Sequence, residues 1–228
     1  MLHSDKFNKA LADYFYLIDH NYPEKGSLKL IGDRYQLETD LRNALYRSIS
    51  SSVKNKRRSQ RLVQNPFDCL IIDGYNVILT LLNYRLGKFV FISTDNICRD
   101  AGALFGRIRN EQLFSQCAEL LVKYLSAFNN LDIIIYLDSP VSFSLKHKQL
   151  LLSFFQKKNM NIRVEVVHSA DHSISKNSGG TVATSDSALI DACNNPIIDL
   201  PRLILQKEYD VRLFDFGLKL KEVQVNLQ

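Results

Sequence analysis

Short apolar runs alternate with amphipathic stretches from about residue 65 onward. Each run is too short for an ordinary helix, and most are rich in Ile and Val, which favour strands. The predicted core strands cover residues 69–72, 132–137, 162–167, 181–184 and 196–198. Strands that alternate with helices form parallel sheets covered on both faces, so the pattern predicts an α/β fold, a three-layer sandwich with a mainly parallel central sheet.

The stretches between these runs carry apolar residues at helical spacing. They predict helices at residues 77–84, 96–108, 111–128, 144–158 and 187–192, and a last helix that begins at Pro201. Two further segments interrupt the alternation. They predict an extra strand at residues 89–93 and an edge strand at 210–216.

The first 64 residues have a helical pattern. Apolar residues at helical spacing predict helices at 4–20, with Ser4 as N-cap, and at 24–31 and 39–52. The Ser-rich, basic stretch that follows is the best candidate for a boundary. We therefore predict a small N-terminal helical segment with a basic linker over residues 1–64, and an α/β domain over residues 65–228.

Composition narrows the class of protein. The chain has 228 residues and 46% hydrophobic content, enough to bury a core without a disulfide or a structural metal. Its four cysteines are far apart and form no Cys-x-x-Cys pair, which is typical of reduced thiols. No apolar run is long enough to span a bilayer, and the first residues lack an apolar signal core. We therefore expect a cytoplasmic protein that has no membrane partner.

The excess positive charge is confined to one short run. Residues 1–64 contain 12 Lys/Arg against 7 Asp/Glu, whereas residues 65–228 contain 17 of each. The excess comes from a basic run consisting of Lys54, Lys56, Arg57, Arg58 and Arg61. Such a run attracts phosphate backbones, and we treat these residues as candidates for RNA binding. The alternative is a solvated helix end or linker.

Three predicted strands end in an acid, at Asp73, Asp138 and Asp186, and Asp171 follows the remaining one. The carboxyl ends of parallel strands share one edge of a sheet, so these acids should converge there. Clustered carboxylates repel one another unless a cation lies among them, and Mg²⁺ or Mn²⁺ prefers such oxygen ligands. The alternative for each single Asp is the N-cap of the following helix.

Polar residues beside these acids are candidates for substrate binding. Asn76, Ser139 and Ser185 lie within a few residues of the strand ends and can hydrogen-bond a phosphate. A metal site built on His168 and His172 is a weaker alternative. The chain has no Gly-x-x-x-x-Gly-Lys-Ser/Thr loop, and no Gly-x-Gly-x-x-Gly follows the first strand, which disfavours P-loop and dinucleotide enzymes.

The segments Asp73-Gly74-Tyr75-Asn76, Asp138, Ala170-Asp171 with Ile174, and Ser185-Asp186 together resemble the signature of the NYN branch of the PIN-like nuclease superfamily. The resemblance covers about residues 66–200. It implies a parallel-sheet α/β fold and an RNase activity that depends on Mg²⁺ or Mn²⁺. It also implies that the four aspartates are the catalytic and metal-site acids.

Most of the chain also resembles an uncharacterised prokaryotic family that is prominent in archaea. The segments that carry this resemblance are residues 32–37, 99–107, 136–142 and 182–187. This second resemblance supports the fold more than the activity.

These observations predict a divalent-metal-dependent ribonuclease that hydrolyses single-stranded RNA at the cluster of strand-end aspartates. A non-catalytic PIN-like protein that binds RNA or acts as a scaffold is the alternative. The sequence leaves the oligomeric state open, a homo-oligomer included.

Overall fold

The computed structural model describes residues 2–67, 69–102, 108, 110–128, 131–158, 160 and 162–226. Its strands are β1 (Leu62–Val63), β2 (Cys69–Asp73), β3 (Val90–Ile92), β4 (Cys98–Asp100), β5 (Asp132–Asp138), β6 (Ile162–Val167), β7 (Thr181–Ala183), β8 (Ile197–Ile198) and β9 (Phe214–Asp215). Its helices are α1 (Asp5–Asp19), α2 (Glu24–Arg34), α3 (Thr39–Ser48), α4 (Ser52–Ser59), α5 (Gly74–Arg85), α6 (Glu111–Leu125), α7 (Ser144–Gln156), α8 (Ala170–Ser175), α9 (Ser187–Ala192), α10 (Leu200–Tyr209) and α11 (Phe216–Asn226). None of these helices combines the length and apolar character needed to cross a bilayer.

The chain divides into two compact units, each made of more than one segment. Unit 1 consists of Met1–Gln60, Lys88–Ala101 and Arg212–Gln228, and unit 2 of Arg61–Gly87 and Gly102–Val211. The second and third segments of unit 1 fall within residues 65–228, the range predicted as the α/β domain. After its first segment, the chain thus leaves unit 1 and re-enters it twice.

Unit 1 contains α1–α4, α11 and a three-stranded sheet in the order β4-β3-β9. Ser4 accepts a hydrogen bond from the backbone N–H of Phe7 at 3.2 Å, which confirms the predicted start of α1. Phe7 and Tyr14 on α1 join Phe91 and Phe216 in a buried apolar core. The later segments of unit 1 therefore complete the core that the N-terminal helices begin.

The predicted third helix is shorter than expected and is followed by another helix. The backbone N–H of Thr94 donates to the carbonyl oxygen of Ser48 at 2.8 Å, and the Thr94 hydroxyl oxygen accepts from the N–H of Ser50 at 3.1 Å. These bonds end α3 at Ser48 and hold the next residues outside a helix. The stretch predicted as a basic linker then forms α4.

The predicted helix over residues 96–108 is wrong at residues 98–100, which form β4 and pair antiparallel with β3. Asn96 has a φ of 66°, a left-handed conformation that Asn tolerates better than most residues. It makes the tight turn of a hairpin, closed by a bond from the N–H of Ser93 to the Ile97 carbonyl oxygen at 3.0 Å. Residues 103–107, in the rest of the predicted helix, lie outside the described residues.

Unit 2 contains a six-stranded sheet in the order β1-β8-β7-β2-β5-β6, in which every pairing is parallel. The strands predicted from the apolar runs are confirmed as β2, β5, β6, β7 and β8. Leu70, Ile71 and Ile72 in the middle of β2 are fully buried, because that strand is central and covered. The molecule is a mixed α/β protein, consistent with an α/β sandwich.

The strand order reverses beside β2. The chain continues from β2 to β5 and β6 on one side, and then returns to β7 and β8 on the other. Right-handed crossovers therefore place α5 and α7 on one face of the sheet and α9 on the opposite face. In open parallel sheets, the carboxyl ends of the strands that flank such a reversal border a crevice. We call this side of the sheet the carboxyl edge, and the opposite side the amino edge.

The end of the chain contains a confirmed helix and an unpredicted one. Asp199 caps α10 by accepting from the N–H of Arg202 at 3.2 Å, as expected for a helix that begins near Pro201. The predicted edge strand at 210–216 is only two residues long as β9. It leads directly into α11, whose buried residues Phe216, Leu220 and Val223 fall at helical spacing.

Candidate active site at the carboxyl edge

Asp73 is the last residue of β2 and the N-cap of α5. It is 5% exposed; its Oδ1 accepts from the N–H of Asn76 at 3.4 Å and its Oδ2 accepts from the Thr184 hydroxyl at 3.0 Å. The helix begins at once because Gly74 has no side chain. A Cβ there would lie 2.7 Å from Leu137 Cδ2 and 2.9 Å from the Tyr136 carbonyl oxygen. Only glycine brings the start of α5 this close to β5.

Asp138 and Asp186 also bind helix N-termini. Asp138 ends β5, and its Oδ1 accepts from the N–H of Ala170, the first residue of α8, at 2.8 Å. Asp186 follows β7 and caps α9 through a bond from the N–H of Leu189 to its Oδ1 at 2.9 Å. The capping interpretation therefore applies to Asp73 and Asp186. It is wrong for Asp138, because Phe143 is the N-cap of the following helix α7 and Asp138 instead binds the N-terminus of α8. For Asp138 and Asp186 these bonds engage one oxygen of the carboxylate.

Asp171 is the second residue of α8 and is exposed. Burial and the negative charges of Asp171 and Asp138 raise the pKa of Asp73 to about 8, although its bonds from Thr184 and Asn76 act in the opposite direction. Desolvation by the surrounding protein, followed by the charges of Asp186 and Asp138, likewise raises the pKa of Asp171. The four aspartates thus interact electrostatically with one another, and we call them the carboxylate cluster.

The carboxylate cluster supplies only oxygen donors, which fit a hard divalent cation such as Mg²⁺ or Mn²⁺. Its mutual repulsion is what a cation would relieve. Within the described part of the chain, however, no three His, Cys, Asp or Glu side chains are already grouped as ligands of one metal ion. His168 and His172 are among these described residues, so the weaker alternative of a metal site built on them gains no support.

The predicted substrate-binding residues of unit 2 lie at the same edge. Asn76 Oδ1 accepts from both the N–H and the hydroxyl of Ser185, at 2.8 and 2.9 Å. This pair bridges the start of α5 and the end of β7, across the point where the strand order reverses. Ser139 is exposed, and its N–H donates to the Val167 carbonyl oxygen at the end of β6 at 2.7 Å.

The basic run is divided between the two units. Lys54, Lys56 and Arg57 are exposed on α4 in unit 1. Arg58 points the other way: it is 3% exposed, and its Nη1 lies 3.0 Å from Asp95 Oδ2. Its guanidinium is committed to this buried ion pair, so we remove Arg58 from the candidate RNA-binding residues.

Arg61 belongs to unit 2 and has a structural role. Its Nη1 donates to the carbonyl oxygens of Ile190 and Cys193 at 2.9 and 2.8 Å, and its Nε donates to the Asn195 carbonyl oxygen at 3.1 Å. These carbonyls lie at the end of α9, where a cation complements the helix dipole. Because these bonds occupy the Arg61 guanidinium, we also remove Arg61 from the candidate RNA-binding residues.

A buried chain of polar side chains that was not predicted from the sequence lies beside the carboxylate cluster. The Tyr75 hydroxyl lies 2.9 Å from His147 Nδ1, and His147 Nε2 lies 3.1 Å from Glu111 Oε2. His147 is 1% exposed. With Nδ1 as the acceptor from Tyr75 and Nε2 as the donor to Glu111, His147 satisfies both bonds. The only sequence signal was a polar residue on the buried face of a predicted helix.

Thr184, which donates to Asp73, was also missed, although it directly precedes Ser185 and Asp186 in the predicted strand end. A hydroxyl beside a predicted strand-end acid is a usable signal. It indicates a neutral donor that holds a buried carboxylate in place.

Comparisons with known proteins identify relatives of most of the chain. Residues 65–203 match a family described as Domain of unknown function (DUF5616), and residues 6–61 match one described as Protein of unknown function (DUF434). An uncharacterized protein of Methanocaldococcus jannaschii is 27% identical over 196 residues, which cover 84% of this chain and 93% of the relative. No solved structure matches the chain. The archaeal resemblance seen in the sequence is thus supported.

Proposed function

The chain belongs to the family described as Domain of unknown function (DUF5616), and we propose that it hydrolyses phosphodiester bonds of single-stranded RNA with Mg²⁺ or Mn²⁺. The observation that carries this proposal is the carboxylate cluster. Asp73 and Asp138 end the adjacent strands β2 and β5, and Asp186 follows β7, at the crevice where the strand order reverses. The fourth acid, Asp171, lies on α8 and interacts electrostatically with the other three. The resemblance of Asp73-Gly74-Tyr75-Asn76 to the NYN signature supports assigning unit 2 to the PIN-like superfamily as part of the same proposal.

The cation would be held by Asp73 and Asp171, with Asp138 and Asp186 beside them. When bound, a divalent cation supplies an activated water and stabilises the leaving oxygen of the phosphodiester. The raised pKa of Asp73 means that protons compete with the cation at neutral pH. Cation affinity is therefore expected to increase as the pH rises toward 8.

Cleavage of a fluorescent single-stranded RNA tests this proposal. Wild-type protein should cleave it with Mn²⁺ or Mg²⁺ but not with EDTA, and Asp73→Asn should lower the rate by about 100-fold or more. Asp132→Asn is the matched control, because Asp132 is exposed at the opposite end of β5, on the amino edge. Equal cleavage by wild type and Asp73→Asn would contradict the assignment. So would no cleavage with any divalent ion.

Direct binding provides a second readout that does not require turnover. Titration calorimetry with Mn²⁺ at pH 8 should show binding to wild type and to Asp132→Asn. Asp73→Asn should lose most of the binding. A wild-type protein that binds no Mn²⁺ would exclude the cation from the proposal.

A non-catalytic RNA-binding or scaffold protein is the second candidate. One observation favours it: Asp73, Asp138 and Asp186 all accept bonds from helix N-termini, and such bonds stabilise the fold without any chemistry. This candidate predicts RNA binding that weakens with salt and no cleavage in any metal. It also predicts that Asp186→Ala lowers thermal stability without changing RNA affinity.

A further inference from the structure

Phe143 is an exposed aromatic residue in the loop that follows Asp138 at the carboxyl edge. Its side chain is 59% exposed, the largest exposed fraction of any aromatic residue described in unit 2. The loop connects the end of β5 to α7, so Phe143 lies five residues after an acid of the carboxylate cluster. The ring is therefore presented to solvent on the same edge as the proposed site.

The backbone of Phe143 is unfavourable for an aromatic residue. Its φ and ψ are 66° and 21°, the left-handed region that glycine and asparagine adopt at lower cost. The left-handed backbone costs free energy for a residue with a Cβ. The exposed ring does not stabilise the fold either, because an apolar side chain contributes to stability when it is buried. A residue that is costly in both respects points to a role outside the fold.

The loop holds Phe143 in a defined position. The carbonyl oxygen of Phe143 accepts from the N–H of His147 at 3.0 Å, and the imidazole of His147 is anchored to Tyr75. On the near side, the N–H of Val141 donates to the Asp138 carbonyl oxygen at 3.2 Å. The ring is thus presented by a loop that is fixed at both ends to residues next to the carboxylate cluster.

A cation accompanies the ring. The Nζ of Lys146 lies 5.9 Å from the centroid of the Phe143 ring, and Lys146 is exposed one turn into α7. An aromatic face beside a lysine matches the two parts of a nucleotide, because bases stack on aromatic rings and phosphates pair with ammonium groups. Lys146 also places a positive charge at the carboxyl edge, where the acids alone would repel a phosphate backbone.

We propose that Phe143 stacks on an unpaired base of a single-stranded RNA, with Lys146 on the adjacent phosphate, and so positions the strand at the carboxylate cluster. This inference rests on the proposed function of the same edge and adds the feature of the substrate that is recognised. An unpaired base is required, since a base within a duplex cannot present its face to a side chain. Phe143 is a substrate-binding residue in this proposal, and the acids remain responsible for chemistry.

Fluorescence anisotropy of the full-length protein with a labelled single-stranded RNA, in EDTA, measures this binding without cleavage. Phe143→Ala and Phe143→Leu are both expected to raise Kd by about 5- to 100-fold, because Leu keeps apolar area but cannot stack. Phe143→Trp should bind within about 2-fold of wild type. Phe67→Ala is the matched control, since Phe67 is 47% exposed just before β2, at the amino edge. It should leave Kd unchanged.

Several outcomes overturn the inference. They are no detectable binding of the single-stranded RNA by wild type, equal affinity of Phe143→Leu and wild type, or the same loss in Phe67→Ala as in Phe143→Ala. A duplex RNA of the same sequence should be insensitive to Phe143→Ala, and equal sensitivity also overturns it.

The failure of this inference can be told apart from failure of the proposed function. Cleavage of RNA with Mn²⁺ together with Phe143-independent binding removes only the stacking role. Phe143-dependent binding without cleavage in any metal supports the stacking role and contradicts the nuclease.

Discussion

Asp73 combines two properties that oppose each other. Its burial favours the protonated, neutral carboxyl group, whereas the proposed cation site requires the carboxylate. An aspartyl group ordinarily ionises near pH 3.8, whereas burial and neighbouring acids keep Asp73 protonated up to about pH 8. Folding therefore takes up a proton between these values, and the free energy of unfolding should fall as the pH rises from about 4 to about 8.

Asp73→Asn removes that titration. The variant should gain stability relative to wild type as the pH rises from 4 to 8, by an amount on the order of a few kcal/mol over the range. Urea unfolding at pH 4, 6 and 8 measures the difference. A stability difference that stays constant between pH 4 and pH 8 would show that Asp73 ionises normally. At pH 8, Mn²⁺ should raise the unfolding midpoint of wild type and leave that of Asp73→Asn unchanged.

Gly74 makes a prediction that depends on space alone. A Cβ at Gly74 would lie 2.8 Å from Ile135 Cγ2 and 2.9 Å from a backbone carbonyl oxygen, which cannot move aside cheaply. Gly74→Ala should therefore lower the free energy of unfolding by about 1–3 kcal/mol. Gly179→Ala is the control, because a Cβ there meets nothing within 4 Å. Urea unfolding of both variants checks the prediction, and equal stability of the two would refute it.

At the scale of elements, the strand-end acids were predictable and the contacts around them were not. A short apolar run followed by Asp identifies the end of a buried strand, and parallel topology brings such ends to one edge. The bond between Asn76 and Ser185, by contrast, joins residues 109 positions apart. No local pattern encodes such a pairing. The same is true of β9, which pairs with β3 across more than 100 residues and could be predicted only as an edge strand.

The helix α4 shows how a tertiary contact decides an element that local sequence leaves open. Five of its eight residues are polar or basic, excluding its serines, and the sequence predicted a linker. Arg58 anchors it from the buried side. Burial alone would raise the pKa of Asp95, but Arg99, with help from Ser93 and Arg58, lowers it to about 2. The charge network thus replaces the apolar face that α4 lacks.

Arg58→Ala should destabilise unit 1 by about 3 kcal/mol at pH 7, because it removes one partner of a buried carboxylate. The stabilisation from Asp95 is complete above about pH 4 and is lost as the pH falls through about 2, so the deficit of the variant should shrink over that interval. Lys56→Ala, on the exposed side of α4, should stay within about 0.5 kcal/mol of wild type. Urea unfolding at pH 7 and pH 2.5 measures both effects; a deficit in Arg58→Ala no larger than that in Lys56→Ala would contradict the anchoring role.

For the whole molecule, the sequence predicted the parallel α/β sheet and the carboxylate cluster, but not the division into units. The apolar segments at residues 88–101 and 212–228 are as hydrophobic as their neighbours. Nothing in their pattern indicates that they complete the core of the N-terminal helices. Chain order suggested two consecutive domains, whereas long-range packing decides which segments share a core.

The position of the exposed positive charges, rather than the net charge, leads to a prediction about RNA binding. Each lysine or arginine that contacts a single-stranded backbone contributes about −0.7 to the slope of log K against log salt. If all three of Lys54, Lys56 and Arg57 contact RNA, replacing them with Gln should therefore make the slope less negative by about 2. Replacing the exposed Lys6, Lys9 and Lys29 with Gln changes the net charge equally and should leave the slope almost unchanged. Anisotropy titrations over a range of salt concentrations distinguish the two variants, and equal slopes would place the RNA elsewhere.

The buried chain from Tyr75 through His147 to Glu111 ties together the first turns of three helices, α5, α7 and α6. When one of these helix starts opens, the buried imidazole loses a partner, so the other two should open with it as one cooperative unit. In native-state hydrogen exchange, the hydrogen-bonded amides of Asn76, Leu113 and His147 in these first turns should then report the same opening free energy. Tyr75→Phe should uncouple them, giving α5 a free energy different from those of α6 and α7.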